Sequence, residues 1–104
     1  MTDALIKQVK RKLNITWEDD ETTARVNDIM KSATHTLLHR LGITDETFDF
    51  SVEGEENTLF LAYCLYEWNH ALNEFWANYA DMIADVRAQN DVAAYLASEE
   101  TASE

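Results

Sequence analysis

The chain has 104 residues, 46% of them hydrophobic, and a formal net charge of −12. This length suits one domain, and the composition supplies enough apolar residues for a packed core. The chain has no proline and two glycines, so it has few of the turns that a β-sandwich needs. The composition therefore favours an all-α fold.

The acidic charge is distributed unevenly along the chain. Residues 1–41 hold seven Lys/Arg and six Asp/Glu, whereas residues 42–104 hold one basic residue, Arg87, and fourteen acidic ones. Sequence-specific DNA binding requires a basic surface, so this distribution argues against it. Every stretch of about 18 residues contains charges, which argues against a membrane span.

The single cysteine, Cys64, predicts a reduced site of synthesis and no internal disulfide. It falls among apolar residues of a helical pattern. Burial raises the pKa of a thiol, so we expect Cys64 to be a poor nucleophile. No other pattern in the sequence indicates a catalytic site, so we predict that the chain is not an enzyme and needs no cofactor.

The first predicted helix runs from Asp3 to Leu13. Its apolar positions recur with helical spacing, and Val9 and Leu13 are assigned to the core. The opposite face is basic and carries Lys7, Lys10 and Arg11. We interpret this face as solvated or as a docking surface for an acidic partner.

The second predicted helix runs from about Asp20 to Leu41, and Gly42 suits the position just after its end. Its apolar stripe assigns three residues to the core, Val26, Ile29 and Leu37. His35 and His39 are spaced by four residues, as in metal sites, but they lie opposite the stripe without a third ligand. We therefore predict surface histidines and no metal.

Residues 43–53 form an irregular stretch in which Phe48 and Phe50 alternate with polar residues. Such alternation is typical of a short extended segment. The segment could fold over the core, which we favour, or contact a neighbouring subunit. Phe48 and Phe50 are therefore also candidates for a subunit interface.

Residues 57–91 read as one unbroken helix without glycine or proline. A helix of about 35 residues is roughly 50 Å long, whereas a domain of about 100 residues is roughly 35 Å across. One end should therefore project, or the helix should pack against other copies. The core face of this helix is assigned to Leu61, Leu65, Trp68, Leu72, Phe75 and Tyr79.

Three further apolar residues, Leu59, Tyr63 and Tyr66, lie opposite that face, so the start of the helix is apolar nearly all round. We weigh the core and a subunit interface equally for them, because tyrosine suits interfaces. Residues 1–97 are predicted to form a single helical domain with two shorter N-terminal helices and one long C-terminal helix. Residues 98–104 are predicted to be a disordered acidic tail.

Several segments resemble the small head–tail connector proteins, also called head completion or adaptor proteins, of long-tailed bacteriophages. They are KRKLNITWEDDETTARVNDIM, the helix end Leu-Gly-Ile, AYCLYEWNHALNEFWANY and DMIADVR. The resemblance runs from Leu5 to about Arg87.

The resemblance implies a structural virion protein that forms a closed, dodecameric ring of copies of itself beneath the portal protein. Such a ring extends the DNA channel and joins the head to the tail or to a downstream neck or tail completion protein. DNA would pass through without specific binding, no membrane would be involved, and the protein would be made in the cytoplasm of the host bacterium. The alternative is an acidic DNA mimic that inhibits a host DNA-binding protein.

Overall fold

The computed structural model describes residues 3–102, with side chains for residues 3–98. This part of the chain is all-α, as predicted, and contains no strand. Its five helices are α1 (Asp3–Lys12), α2 (Asp20–Arg40), α3 (Glu55–Trp68), α4 (Leu72–Asn78) and α5 (Ala80–Ala102).

The first residue of α2 follows an aspartate cap. The Asp19 carboxylate accepts a hydrogen bond from the Thr22 backbone N–H at 2.7 Å and another from the Thr22 hydroxyl at 2.9 Å. These bonds favour the charged carboxylate, so they lower the pKa of Asp19. Asp19 therefore caps the start of α2, as aspartate commonly does.

Gly42 ends α2 with a left-handed backbone, φ +68°. The Gly42 N–H donates to the His39 carbonyl at 3.2 Å, and the Ile43 N–H donates to the Leu38 carbonyl at 2.9 Å. This pair of bonds is the Schellman pattern, which satisfies the last carbonyls of a helix. The predicted role of Gly42 is confirmed.

We expect Gly42→Ala to lower the free energy of unfolding by about 1–2 kcal/mol, because alanine disfavours this backbone conformation. A Cβ atom at Gly42 would also lie 2.7 Å from Cδ of Arg87, so the Arg87 side chain would have to move. Urea denaturation followed by circular dichroism measures the loss. In an Arg87→Ala background the clash with Arg87 is absent and only the 3.2 Å approach to Oδ1 of Asp91 is left, so an equally large loss there would exclude Arg87 as its cause.

The predicted single helix over residues 57–91 is wrong, because the chain breaks after Trp68 and again at Tyr79. At the first break His70 adopts φ +58°. The His70 N–H donates to the Glu67 carbonyl at 3.0 Å and the Ala71 N–H to the Tyr66 carbonyl at 2.8 Å. This is again the Schellman pattern, here with a histidine in place of glycine.

A side chain from α2 stabilises this break. Nη2 of Arg25 donates to the Trp68 carbonyl at 2.6 Å, and its guanidinium lies 4.1 Å from the centre of the Trp68 ring. A cation at a helix C-terminus is favoured by the helix dipole and by the free carbonyls there. A contact between residues 43 positions apart in sequence therefore caps the end of α3.

The break lets α4 and α5 fold back on α3, which contacts all four other helices. Most of the apolar surface around α3 is therefore covered by its own chain. Of the residues assigned to the core, six are buried and five are half-buried against it. The buried ones are Val9, Leu13, Val26, Ile29, Leu37 and Phe75; the half-buried ones are Leu61, Leu65, Trp68, Leu72 and Tyr79.

The segment between α2 and α3 folds over the core, which is the favoured one of the two predicted alternatives. The Phe50 ring is buried, with its centre 5.0 Å from that of Phe48 and 4.9 Å from that of Phe60. Nδ2 of Asn57 donates to the Phe50 carbonyl at 2.8 Å. The segment consists of turns, bends and irregular backbone without a strand, in place of the predicted short extended segment.

Candidate interaction surface

Three of the five residues predicted for a subunit interface lie in the core of the single chain. Leu59, Tyr63 and Phe50 are each at most 2% exposed. Of the two predicted alternatives, the structure places these three residues in the core, because α3 packs against the other helices and Phe50 lies beneath its own loop. The other two, Phe48 and Tyr66, are half-buried against the same core.

Tyr63 and Tyr66 hold α3 against α4. The Phe75 ring centre lies 5.5 Å from that of Tyr63, 6.0 Å from that of Tyr66 and 5.2 Å from that of Tyr79. The Tyr63 hydroxyl is paired with the Ser32 hydroxyl at 2.9 Å. Burial raises the pKa of Tyr63, with the Ser32 bond opposing the shift, so the phenol stays neutral.

The first half of α5 is fixed to the end of α2. Val86 is buried, Nη1 of Arg87 donates to the His39 carbonyl at 3.2 Å, and Nδ2 of Asn90 donates to the Leu41 carbonyl at 2.7 Å. These contacts satisfy carbonyls at the C-terminus of α2. They also fix the direction in which the rest of α5 leaves the body.

Beyond Asn90 the described side chains of α5 are exposed to solvent. Every residue from 91 to 98 is exposed, and the molecule measures 54 × 28 × 19 Å. We call residues 92–98 the α5 tip. Three large apolar side chains of the tip are more than half exposed: Val92 at 58%, Tyr95 at 63% and Leu96 at 54%. The tip thus presents three exposed apolar side chains to solvent.

The α5 tip is not among the surfaces predicted from the sequence. The spacing of Val92, Tyr95 and Leu96 could have indicated it, because it places three apolar residues on one helical face. The backbone of residues 98–102 continues α5, which differs from the predicted disordered tail. The remainder of that predicted tail, residues 103–104, lies outside the described residues.

A second surface lies on α1. Its cations Lys7, Arg11 and Lys12 are exposed, and none forms an ion pair with another described residue. Beside them is a depression of about 330 Å³ lined by Gln8, Arg11, Lys12 and Leu61. We call this depression the α1 groove. It has an apolar residue of α3 in its wall and cations along its rim.

The predicted chemistry of Cys64 agrees with its surroundings. The thiol is fully buried, and this burial raises its pKa to about 12, with a smaller effect from the charge of Glu67. A thiol of this kind is a poor nucleophile at neutral pH.

His35 and His39 lie exposed on α2. Within residues 3–98, no three His, Cys, Asp or Glu side chains are grouped to hold a metal.

None of the described helices is both long enough and apolar enough to cross a membrane. Comparisons with protein-family models, curated proteins and solved structures found no match for the chain. The resemblance to head–tail connector proteins therefore stays a prediction.

Proposed function

We propose that this chain is a structural subunit that joins copies of itself into a closed ring at the head–tail junction of a bacteriophage. The ring would sit beneath the portal protein, surround the DNA channel and carry the next neck or tail completion protein. The observation that carries this proposal is the α5 tip, which leaves the body of the subunit and exposes Val92, Tyr95 and Leu96.

The exposed tip supports assembly because contiguous apolar residues on a projecting helix are costly to leave in water. Burial stabilises by roughly 25 cal/mol per Å² of apolar area. Exposed apolar patches commonly mark interaction sites. All residues of the tip are exposed.

The acidic charge supports a role beside DNA without binding to it. The chain carries −12 in total, and residues 42–104 hold fourteen acidic residues against Arg87. Acidic side chains repel phosphates over a Debye length of about 8 Å at physiological salt. A channel wall of this composition would let DNA slide past.

The role is structural and not enzymatic in this proposal. Cys64 is inaccessible, with a pKa of about 12, and the buried Tyr63 hydroxyl is occupied by Ser32. Both groups serve packing. The chain would act by its shape, charge and contacts.

The decisive experiment is to mix the purified chain with portal rings from the same genome. We expect a stoichiometric ring of this chain stacked on one face of the portal, seen by electron microscopy and counted by native mass spectrometry. An unrelated acidic helical protein of the same size is the matched control. A chain that stays unbound at saturating portal concentration would refute the proposal.

The same preparation also tests the DNA-mimic alternative. A mimic would be recovered from a host lysate with a nuclease or repair protein, and DNA would displace it. The connector is expected to retain the portal in the presence of added DNA. Displacement by DNA would therefore replace the structural proposal with the inhibitor.

A further inference from the structure

We propose that the exposed face of α1 in one copy of the chain pairs with the exposed face of α5 in the next copy, with the two helices antiparallel. This inference rests on the proposed ring and names the two surfaces that would join its subunits. The α1 face consists of three exposed residues, Ala4, Lys7 and Arg11. The α5 face consists of four exposed residues, Asp81, Ala84, Asp85 and Ala88.

The α1 face holds two cations without a partner in the described chain. Lys7 and Arg11 lie one helical turn apart, on the side of α1 away from the buried Leu5 and Val9. Neither cation forms an ion pair or a hydrogen bond with another described residue. Their charge is therefore available to a second molecule.

Cations elsewhere in the chain are engaged in internal contacts. The guanidinium groups of Arg25 and Arg40 lie over the rings of Trp68 and Trp76. Arg87 forms an ion pair with an aspartate one turn further along α5. Because the chain carries a net charge of −12, two copies repel each other over most of their surface. The α1 face is where an acidic copy is attracted.

The α5 face offers carboxylates that are equally free. Asp81 and Asp85 lie one turn apart, on the side of α5 away from the buried Val86. Neither carboxylate bonds to another described residue. Ala84 and Ala88 lie on the same face, and their small side chains let a second helix approach closely.

The spacings of the two charged pairs match, and each occurs once in the described helices. Lys7 and Arg11 are the one pair of Lys/Arg four residues apart, and Asp81 and Asp85 are the one such pair of acids. In an antiparallel arrangement Arg11 meets Asp81 while Lys7 meets Asp85. This arrangement also brings the negative C-terminal end of the α1 dipole beside the positive N-terminal end of α5.

Other acids of a second copy suit the α1 face less well. The carboxylates of Asp19, Asp45 and Asp49 already accept hydrogen bonds from neighbouring hydroxyls. On α2, Asp28 lies three residues from Lys31, whose charge would repel α1. Charge complementarity at the contact itself therefore selects the α5 face.

Both helices are fixed to the body before they meet. The Gln8 side chain of α1 bonds to the Ser51 carbonyl at 3.0 Å and to Nδ2 of Asn57 at 2.8 Å. On α5, Asn90 bonds to the Leu41 carbonyl. The two faces are thus presented without reordering of the chain, which lowers the cost of association.

The contact joins different surfaces of neighbouring copies. Such a heterologous contact leaves one α1 face and one α5 face free on every pair, so it continues into a closed ring or a filament. Exposed ion pairs contribute little each, so an isolated pair of copies is weakly bound. Ring closure or the portal strengthens the assembly by multivalency.

Cross-linking of the chain alone tests the contact without the portal. One copy carries Ala4→Cys, the other is ¹⁵N-labelled and carries Ala88→Cys, and a short bis-maleimide linker joins neighbouring thiols at high protein concentration. The native Cys64 is buried. The pairing sets the two new thiols side by side, so we expect about ten times more mixed dimer than from Ala24→Cys, exposed on α2, with Ala88→Cys. No excess over that control would overturn the inference.

Charge reversal tests the same contact in a second way. Arg11→Glu in the first copy should lower the yield of mixed dimer about tenfold, as should Asp81→Arg in the second, and the two together should restore it. Lys31→Glu and Asp28→Arg make the same charge changes at exposed positions outside both faces and should leave the yield unchanged. A yield that is not restored, or an equal loss in the controls, would refute the pairing.

Portal binding separates this inference from the proposed function. A ring of the wild-type chain on the portal, with no excess of mixed dimer, would keep the connector and refute the contact between the α1 and α5 faces. Restored cross-linking by a chain that does not bind the portal would keep the contact and refute the connector.

Discussion

Replacing Phe75 with alanine is expected to lower the free energy of unfolding by about 3–5 kcal/mol. Phe75 is fully buried, and its ring contacts Tyr63 and Tyr66 of α3 as well as Trp76 and Tyr79. Alanine leaves a cavity at the centre of this cluster. A domain of this size has a stability of about 5–15 kcal/mol, so the change removes a large part of it. Urea denaturation followed by circular dichroism measures the loss.

Two control variants separate the cavity from other effects. Phe75→Leu keeps most of the volume and should cost less than about 1.5 kcal/mol. Tyr95→Ala removes an aromatic ring that is 63% exposed, so the stability should change by no more than about 0.5 kcal/mol. A loss below 1 kcal/mol for Phe75→Ala would mean that α4 does not pack on α3 as described.

The N-terminal half of the fold could be predicted because its signals are local. The cap at Asp19 and the C-terminal glycine at Gly42 are residue types that suit those positions. The stripe of α2 follows a 3.6-residue period, and Val26, Ile29 and Leu37 are buried as predicted. Each feature depends on neighbours within a few turns of helix.

The break at His70 could not be predicted in this way. Helices α1, α2 and α3 all end in the same hydrogen-bond pattern, with Asn14, Gly42 and His70 in the left-handed conformation. Asparagine and glycine are common there, whereas histidine is much less so. The end of α3 at this break is bound by Arg25, which lies 43 residues before the Trp68 carbonyl that accepts its hydrogen bond. A pattern confined to residues 57–91 holds no trace of that contact.

The break in the helix also explains why Leu59 and Tyr63 lie in the core and not at an exposed interface. If residues 57–91 formed one straight helix, the rest of this small chain could not cover Leu59 and Tyr63 on one side of it and Leu61 on the other. Once α4 folds back through Phe75, its own aromatic residues cover Tyr63. The apolar side chains that are exposed therefore lie at the end of this helical segment, in the α5 tip, and not at its start.

Cys64 is expected to react with iodoacetamide about a thousandfold more slowly in the native protein than in the unfolded chain at pH 8. Burial raises its pKa to about 12 from an ordinary value of 9.0, so the thiolate fraction at pH 8 falls about a thousandfold.

The raised pKa of Cys64 also makes the free energy of unfolding depend on pH. Below pH 9 the thiol is neutral in both states, so its contribution is fully present. As the pH rises towards 12, the unfolded thiol ionises while the native one does not, and the contribution is lost.

The matched control for the pH dependence is Cys64→Val, which has a similar volume and no ionisable group. Its stability should decline less steeply than that of the wild type between pH 9 and 10.5, measured by urea denaturation at each pH. Tyr63, whose pKa is also raised by burial, contributes equally in both proteins and cancels in the comparison. Equal slopes, or alkylation of the native thiol as fast as in urea, would show that Cys64 is open to solvent and that α3 is not enclosed by the other helices.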